Sequence, residues 1–447
     1  MRWPAFGRFR LFVRNTRDSL WFIPATLVLT AVALALVLLR VDAHLDRAGD
    51  PAWWLFAGTA ESARTILSVV AGSLINVVAV AFSITMIAIQ QASTQFSPRI
   101  LRNFTRDRGN QVVLGVYIAT FVYALLVLRR VREPTPELEG FLPAVSITTA
   151  VVLALLSFAL LVYFIHHVAR SLQVSVVLSA IASEVCRELD QHFPKRVGEP
   201  SEPPRSFEQL LAEAPRQNGA HECAIRTPNS GYLRIIDGHA LERVCGQAVI
   251  QGAVFVAIGD HVQHDEVIAR VYSEEPLTHA WVATFQEAFG IDEARTVELD
   301  PTYGIQQIVD IALKALSPGI NDPSTASQCL DHLGNVIASL LDRDLPSGER
   351  SIERSRIVLR VPSFEDYLDA SFVAIRRAAR AQLDVSQHLV LVFEKLGRRT
   401  ADPLRARALA YQLEELAAGL DWQRFTAREQ RALRERIAQV RRALVVI

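Results

Sequence analysis

The sequence predicts a membrane protein with four transmembrane α-helices, followed by a cytoplasmic α+β domain that includes a small β-barrel- or sandwich-like module. Half of the 447 residues are hydrophobic although a fifth are charged, so the apolar residues must be concentrated in part of the chain. Four segments are apolar enough and long enough, at about 20 residues, to span a bilayer. After the fourth segment no further span occurs, and strand patterns and then helix patterns follow.

The transmembrane domain is expected at residues 21–170. None of its four spans contains an acidic or basic side chain, and they cover residues 21–39, 65–89, 112–128 and 141–165. Residues 1–20 form a basic interfacial segment. This segment and the loop between the second and third spans carry nine arginines, whereas the other two loops carry six. Because cytoplasmic loops are enriched in Lys and Arg, we expect both termini to lie in the cytoplasm.

The sequence after the spans divides into three parts. Residues 171–220 combine a helical pattern with a Pro-rich linker, and residues 221–275 show short apolar runs broken by glycine, which predict the small β module. Residues 276–447 return to helical periodicity and predict a helical cytoplasmic domain. The four cysteines lack disulfide or zinc-ligand spacing, which favours a reducing compartment; they are Cys186, Cys223, Cys245 and Cys329.

The second span carries a seam of small and weakly polar residues. From Thr65 to Pro98 the sequence has no charge, and a helix of that length would be about 50 Å long, beyond the roughly 30 Å hydrocarbon core. At about 100° per residue, the seam follows one side of the helix and includes Gly72, Asn76, Ser83, Gln90 and Thr94. Apolar residues such as Val69, Val80 and Ile87 are expected on the opposite side. The seam either packs against other helices or lines a water-filled path, where weak polar groups replace part of an ion's hydration shell.

A basic turn follows the second span. Arg99, Arg102 and Arg106 stand at helical spacing with apolar residues between them. Such a turn lies at the headgroup level beside anionic lipid, or it anchors the span by the positive-inside rule alone. Either interpretation predicts a contact with the lipid bilayer.

The segment ALSPGINDPST (315–325) predicts a corner between two helices. The Pro-Gly pair forces a turn, glycine and asparagine tolerate positive φ, and Asp322 or Ser324 can cap the next helix. The alternative is a binding or assembly corner that presents side chains and backbone amides to a ligand or a neighbouring subunit. Its residues would be Ser317, Pro318, Gly319, Asn321 and Asp322.

Several function classes find no support. The sequence contains no P-loop, nucleophile-elbow, HExxH or GxGxxG motif. His261 and His264 are three residues apart beside acidic residues, but on a hairpin turn this spacing does not converge metal ligands. The formal net charge is zero, which gives no indication of a nucleic-acid partner. We therefore expect no enzyme, no cofactor, no metal site and no nucleic-acid partner.

Two long motifs resemble a known family. They are STQFSPRILRNFTRDRGNQ (93–111) and DPTYGIQQIVDIALKALSPGINDPSTA (300–326), and they are similar to the bacterial predicted membrane proteins grouped as domain of unknown function 2254. The resemblance covers residues 21 to 396. It implies a bacterial inner-membrane protein with four spans and a cytoplasmic domain, and it assigns no reaction.

A shorter stretch, VFVAIGDHVQHDEVIARV (254–271), resembles half of a barrel-sandwich domain of the biotinyl or lipoyl type. Those carriers attach their cofactor to a lysine at a hairpin tip. No lysine occurs between Arg196 and Lys314. We therefore expect a structural β module without a covalently attached cofactor.

Two functions are consistent with this organisation. The first is a homo-oligomeric channel or pore, lined by the second helix and gated or assembled by the cytoplasmic half. The second is a non-conducting, membrane-anchored scaffold or sensor whose cytoplasmic domain binds a protein partner. The surroundings of the polar seam distinguish the two functions.

Overall fold

The computed structural model describes residues 21–45, 56–95, 107–133, 140–195, 207–212 and 221–445. The chain divides into two compact units, one ending at Val176 and the other beginning at Val177. The first unit holds the four apolar helices, and the second holds the strands. The expected basic turn at Arg99, Arg102 and Arg106 lies outside the described residues.

Each of the four helices in the first unit is long and apolar enough to cross a membrane. They are α1 (Phe22–Leu45), α2 (Ala60–Gln95), α3 (Arg108–Leu128) and α4 (Ala144–Ser171). Helix α2 has 36 residues, which at 1.5 Å per residue gives a length of about 50 Å. The chain is thus a membrane protein with four candidate spans, and its second helix is longer than a bilayer core requires.

Helix α3 lies at the centre of the first unit, in contact with α1, α2 and α4. Half of its most apolar window is buried, a larger share than in the other three helices. Its crossing with α1 is close at Gly115, where an added Cβ would lie 3.0 Å from the Cα of Pro24. Small residues allow helices in a bilayer to approach in this way, so Gly115 sets the α1–α3 separation.

The second unit begins with helices and continues as a mixed α/β stretch. Helix α5 (Val174–His192) starts at the boundary between the units, and α6 is the short helix Phe207–Ala212. The mixed stretch contains β1 (His221–Arg226), β2 (Gly231–Ile236), α7 (Gly238–Cys245), β3 (Ile250–Val254), β4 (His261–Val262), β5 (Val267–Ser273), α8 (His279–Gln286) and β6 (Phe289–Asp292).

The remainder of the second unit is mostly helical but includes one further hairpin. Its elements are α9 (Pro301–Ala315), α10 (Pro323–Leu341), β7 (Glu349–Ile352), β8 (Ser355–Leu359), α11 (Phe364–Ala378), α12 (Leu383–Gly397), α13 (Pro403–Gly419), the 3-10 turn Trp422–Arg424 and α14 (Ala427–Val445). Helix α9 packs against α10 and α11, and α12 packs against α10, α13 and α14. Apolar stripes at helical spacing produce this core.

The strands form two open sheets, so a closed barrel-like module is not supported. The larger sheet has the order β1-β5-β3-β8-β7, and the smaller has the order β4-β2-β6. Strand β3 pairs in parallel with β8, which comes about a hundred residues later in the chain and inside the stretch expected to be helical. Parallel pairing requires a long crossover, whereas glycine punctuation indicates only local hairpins. That difference explains why the pattern of residues 221–275 suggested a self-contained module.

Candidate functional site

One side of α2 packs against the other membrane helices. Its buried residues recur at intervals of three, four and seven, and they are Ala63, Leu67, Ala71, Leu74, Ala81, Ala88 and Ala92. Helix α2 contacts both α3 and α4. The predominance of alanine allows a close helix approach. This stripe is therefore the face by which α2 joins its own bundle.

The polar seam lies on the other side of α2. At about 100° per residue, its centre is about 180° from the centre of the buried stripe. All five seam residues are exposed in the single chain: Gly72, Asn76, Ser83, Gln90 and Thr94. A Cβ added at Gly72 would meet no atom within 4 Å. Within one chain, the seam thus faces away from the three other membrane helices.

Seam residues differ in how their polar groups are satisfied. The hydroxyl of Ser83 donates to the carbonyl of Ala79 at 2.8 Å, and that of Thr94 donates to the carbonyl of Gln91 at 3.0 Å. Among the described residues, no hydrogen bond satisfies the side-chain amides of Asn76 and Gln90. The two amides are therefore the groups of the seam that require an external partner.

Apolar side chains border the seam rather than lie opposite it. Val69, Val80 and Ile87 are all exposed, and at about 100° per residue they stand only some 40–60° from the seam's centre. The expectation that they occupy the opposite side was wrong, because that side is the alanine-rich stripe. The outer surface of α2 is thus a narrow polar strip with an apolar edge. Such a strip can hydrogen-bond to a neighbouring helix or contact water in a pore.

The corner of residues 315–325 has the turn geometry that its sequence predicts. Asn321 has a φ of 48°, and its side-chain oxygen accepts a hydrogen bond from the Gln382 amide at 3.2 Å. The Asp322 carboxylate caps α10 and accepts from the backbone N–H of Thr325 at 3.0 Å and from the Thr325 hydroxyl at 2.6 Å. The Thr325 hydroxyl and N–H lower the pKa of Asp322. Asp322, rather than Ser324, is thus the cap.

The tip of this corner remains open to solvent. Pro318, Gly319 and Ile320 are exposed, and the Ile320 side chain is 48% exposed. Gly319 does not have a positive φ, so its role in the turn does not depend on glycine's left-handed conformation. The corner as a binding or assembly site remains a prediction, with the apolar tip rather than the acid as its accessible part.

The first residues of the motif at 300–326 determine where α9 begins and how it contacts its neighbours. Asp300 is buried, caps α9 at Tyr303 and accepts a hydrogen bond from Nε of Arg295 at 2.8 Å. The Arg295 guanidinium stacks over the Tyr303 ring at 5.1 Å. A Cβ at Gly304 would lie 2.2 Å from Val185 on α5. The residues DPTYG therefore fix where α9 begins and how closely it packs on α5.

Two charged positions in the first unit acquire partners that local sequence does not reveal. The Asp42 carboxylate, at the end of α1, accepts hydrogen bonds from the backbone N–H groups of Val145 and Ser146 at 2.8 and 3.0 Å. Asp107, which caps α3, lies 2.6 Å from Nε2 of His167 on α4. Each acid lies beside a predicted span in the sequence, and this position could have identified it as a candidate. Its partner could not be identified, because the partners are 60 to 104 residues away.

Comparisons with known proteins connect the chain to a family of predicted membrane proteins and to uncharacterized bacterial proteins. The family model described as predicted membrane protein (DUF2254) matches residues 17–395. An uncharacterized protein of Mycobacterium bovis and one of Mycobacterium tuberculosis strain H37Rv are each 31% identical over 371 residues, which cover 80% of this chain and 68% of the relative. No solved structure matches the chain significantly.

Proposed function

This chain belongs to the DUF2254 family of predicted membrane proteins, and we propose that it is a non-enzymatic, homo-oligomeric channel in the bacterial inner membrane. In this proposal the α2 helices of neighbouring subunits line the path with the polar seam. The observation that carries the proposal is the exposure of the seam on the side of α2 that faces away from its own bundle. The second unit serves as a cytoplasmic assembly or gating domain.

The energetic argument rests on the two amides. Removing an amide from water without a hydrogen-bond partner costs about 2–7 kcal/mol, depending on the reference state. Asn76 and Gln90 are exposed, so facing hydrocarbon would incur this cost for each amide that lies within the bilayer. Water in a pore or hydrogen bonds to another subunit would remove it. If the seams of all subunits face a shared axis, the two amides of every subunit can hydrogen-bond to water or to a neighbouring subunit.

Symmetry and chemistry favour a pore over a simple pair of helices. Cyclic assemblies place the same surface of each subunit around one axis, so a ring would align the seams along the path. Neutral side chains such as Asn, Ser, Gln and Thr replace part of an ion's hydration shell without trapping the ion. The arginine balance of the loops supports cytoplasmic termini. The second unit would then lie in the cytoplasm.

The second candidate function is a non-conducting scaffold or sensor, and one observation favours it. The exposed tip at Ile320 presents an apolar side chain beside a rigid turn. An exposed apolar group at a fixed position is suited to a protein partner. In this alternative the seams hydrogen-bond to one another in a dry contact, and the cytoplasmic unit recruits the partner.

Replacing Asn76 by Leu tests the channel. Purified wild-type protein in nanodiscs should form a ring by electron microscopy, and proteoliposomes should release potassium faster than protein-free liposomes. Asn76→Leu should keep the ring and reduce the flux by about tenfold or more, since each tenfold corresponds to about 1.4 kcal/mol of barrier. Val69→Leu, a matched control on the exposed apolar edge, should leave the flux unchanged.

Three results would contradict the channel. A wild-type ring without potassium flux would favour the scaffold, as would an Asn76→Leu variant that loses assembly alone. A monomeric protein with no flux would contradict both the pore and the idea that copies cover the seam.

A further inference from the structure

A groove follows one flank of α14, the last helix of the second unit. Ala417 at the end of α13 and Trp422 in the 3-10 turn form one wall, and a face of α14 forms the other. The α14 residues share one side of the helix over three turns, and they are Arg434, Ile437, Ala438, Arg441, Arg442 and Val445. The groove encloses about 670 Å³, and at 1.5 Å per residue it extends for about 17 Å along α14. Its length therefore matches a helix of three turns.

The wall at Trp422 is held in place by several contacts. Its indole N–H donates to the carbonyl of Ala417 at 3.2 Å, and its backbone carbonyl accepts from the Gln430 amide at 2.7 Å. Its ring packs edge-on against Phe425, with 6.3 Å between the ring centroids, and the Arg434 guanidinium lies 4.5 Å from the centre of the indole. A wall that is already ordered loses little conformational entropy when a partner binds. Trp and Arg are also enriched among the residues that contribute most to protein interfaces.

The bottom of the groove is apolar and recessed. Ile437 is buried, whereas Ala438 and Val445 are exposed, and the small side chains of Ala417 and Ala438 leave room between the walls. A membrane surface contacts side chains that protrude, so it would not fill such a recess. An amphipathic helix presents a row of apolar side chains at intervals of three and four and can insert them into a groove. The shape therefore favours a helical segment as the occupant.

The rim of the groove is positively charged. Among the described residues, three arginines and no acidic side chain line it, and α14 as a whole carries six arginines and two glutamates. Arg441 pairs with Glu414 at 2.6 Å, whereas Arg434 and Arg442 form no ion pair with a described carboxylate. A second copy of this face would bring arginines together, and like charges across an interface are unfavourable. The charge therefore favours an acidic partner over another copy of the chain.

We propose that this groove binds an acidic amphipathic helix of a protein partner. Apolar side chains on one face of that helix fill the recess above Ala438 and contact Trp422, and Asp or Glu side chains on its flanks pair with Arg434 and Arg442. The groove lies beyond residue 395, where the match to the family model ends, and it belongs to the second unit. The interaction therefore does not depend on the seam of α2 or on potassium flux.

Binding of a designed peptide to the full chain tests the groove. The peptide is a fluorescently labelled helix of about four turns, with leucines on one face and glutamates on the other, and the protein is held in nanodiscs of zwitterionic lipid. Fluorescence anisotropy should give a Kd below about 100 μM. A peptide with lysines in place of the glutamates should bind at least about tenfold more weakly.

Variants of α14 then assign the binding to the groove. Replacing both rim cations, Arg434→Gln with Arg442→Gln, should weaken binding of the glutamate peptide by about fivefold or more. Ala438→Glu places an acid in the recess and should weaken it by about tenfold or more. The matched control, Arg428→Gln with Arg431→Gln, removes two exposed arginines of the same helix that do not line the groove. This control should leave the Kd within about twofold of the wild-type value.

Four results would overturn the proposal. The first is a wild-type protein that binds neither peptide or binds both equally. The second is an unchanged Kd in the variant without the two rim cations, once gel filtration shows that this variant is folded. The third is loss of peptide binding in nanodiscs that contain anionic lipid, which would assign the groove to lipid headgroups. The fourth is a smaller oligomer for Ala438→Glu than for wild type, which would assign the groove to a second copy of the chain.

Discussion

Helices α2 and α3 both carry polar side chains at membrane depth, but the surroundings of those side chains differ. On α2 the polar residues form one stripe that is exposed and lies opposite the buried alanine face. On α3 the polar residues are buried inside the bundle and bond in part to α4. The comparison shows that residue type alone does not decide whether a polar group faces outward. The position of the helix decides it, because α2 has two neighbours and α3 is surrounded by three.

The two helices also differ in what their periodicity reveals. The α2 seam repeats at spacings of three, four and seven, and this regularity made it visible in the sequence. The buried polar residues of α3 are distributed around the helix, since Gln111 and Tyr123 are both buried although they stand about 120° apart. A helix at the centre of a bundle has no single polar side, so no stripe marks its buried polar residues in the sequence.

The largest expected effect comes from removing Asp42, the buried acid at the end of α1. Asp42→Ala leaves the N–H groups of Val145 and Ser146 without their acceptor, and we expect a loss of about 2 kcal/mol or more in stability, because each buried donor left without a partner costs about 1–3 kcal/mol. Thermal unfolding in detergent measures the change.

Arg40→Ala is the control for this variant, because Arg40 is an exposed charge on the same helix, and it should change stability by less than about 0.5 kcal/mol. Equal melting temperatures for Asp42→Ala and wild type would show that the acid at the end of α1 is not needed for the helix pair.

A cysteine scan gives a smaller effect and tests the seam of α2. Single cysteines at Asn76, Ser83 and Gln90 should react with a water-soluble thiol reagent at least about tenfold faster than cysteines at Leu67 and Leu74, since a thiol must ionise to react and a dry helix contact disfavours the thiolate. Mass spectrometry of the labelled protein measures the rates.

The native cysteines should add little background to this scan. Burial raises the pKa of Cys329 to about 12, and burial also raises the pKa of Cys186, Cys223 and Cys245. A raised thiol pKa leaves less thiolate near neutral pH, so each native site reacts slowly. If none of the seam cysteines reacts in an assembled protein, the seam forms a dry contact between subunits, and this result would favour the scaffold.

Two aspartates show how far the sequence predicts the structure. The sequence predicted that Asp322 or Ser324 caps the helix after the turn, and Asp322 is the cap. Asp42 caps α4 across more than a hundred residues, and nothing in its local sequence indicates that partner. The same distinction separates the four helices, which follow from local hydropathy, from the β3–β8 pairing, which joins distant strands. Interactions between residues within one helical turn can be predicted from the sequence. Interactions between residues that are far apart in the chain cannot, because no local pattern indicates the partner.

The smallest expected effect concerns the cap of α10, the local counterpart of the Asp42 cap. Asp322→Ala removes the acceptor for the hydroxyl and N–H of Thr325 and should cost about 1 kcal/mol, the usual value for an N-cap. Ser324→Ala, two residues further along and not the cap, should cost less than about 0.5 kcal/mol. The folded pKa of Asp322 is lowered, so its stabilisation is complete above the ordinary carboxyl pKa of about 4 and is lost as the pH falls through the lowered value. Calorimetry of wild type and variant should therefore show a constant difference at neutral pH that narrows in acid, and a difference that widened in acid would contradict the assignment of Asp322 as a charged cap.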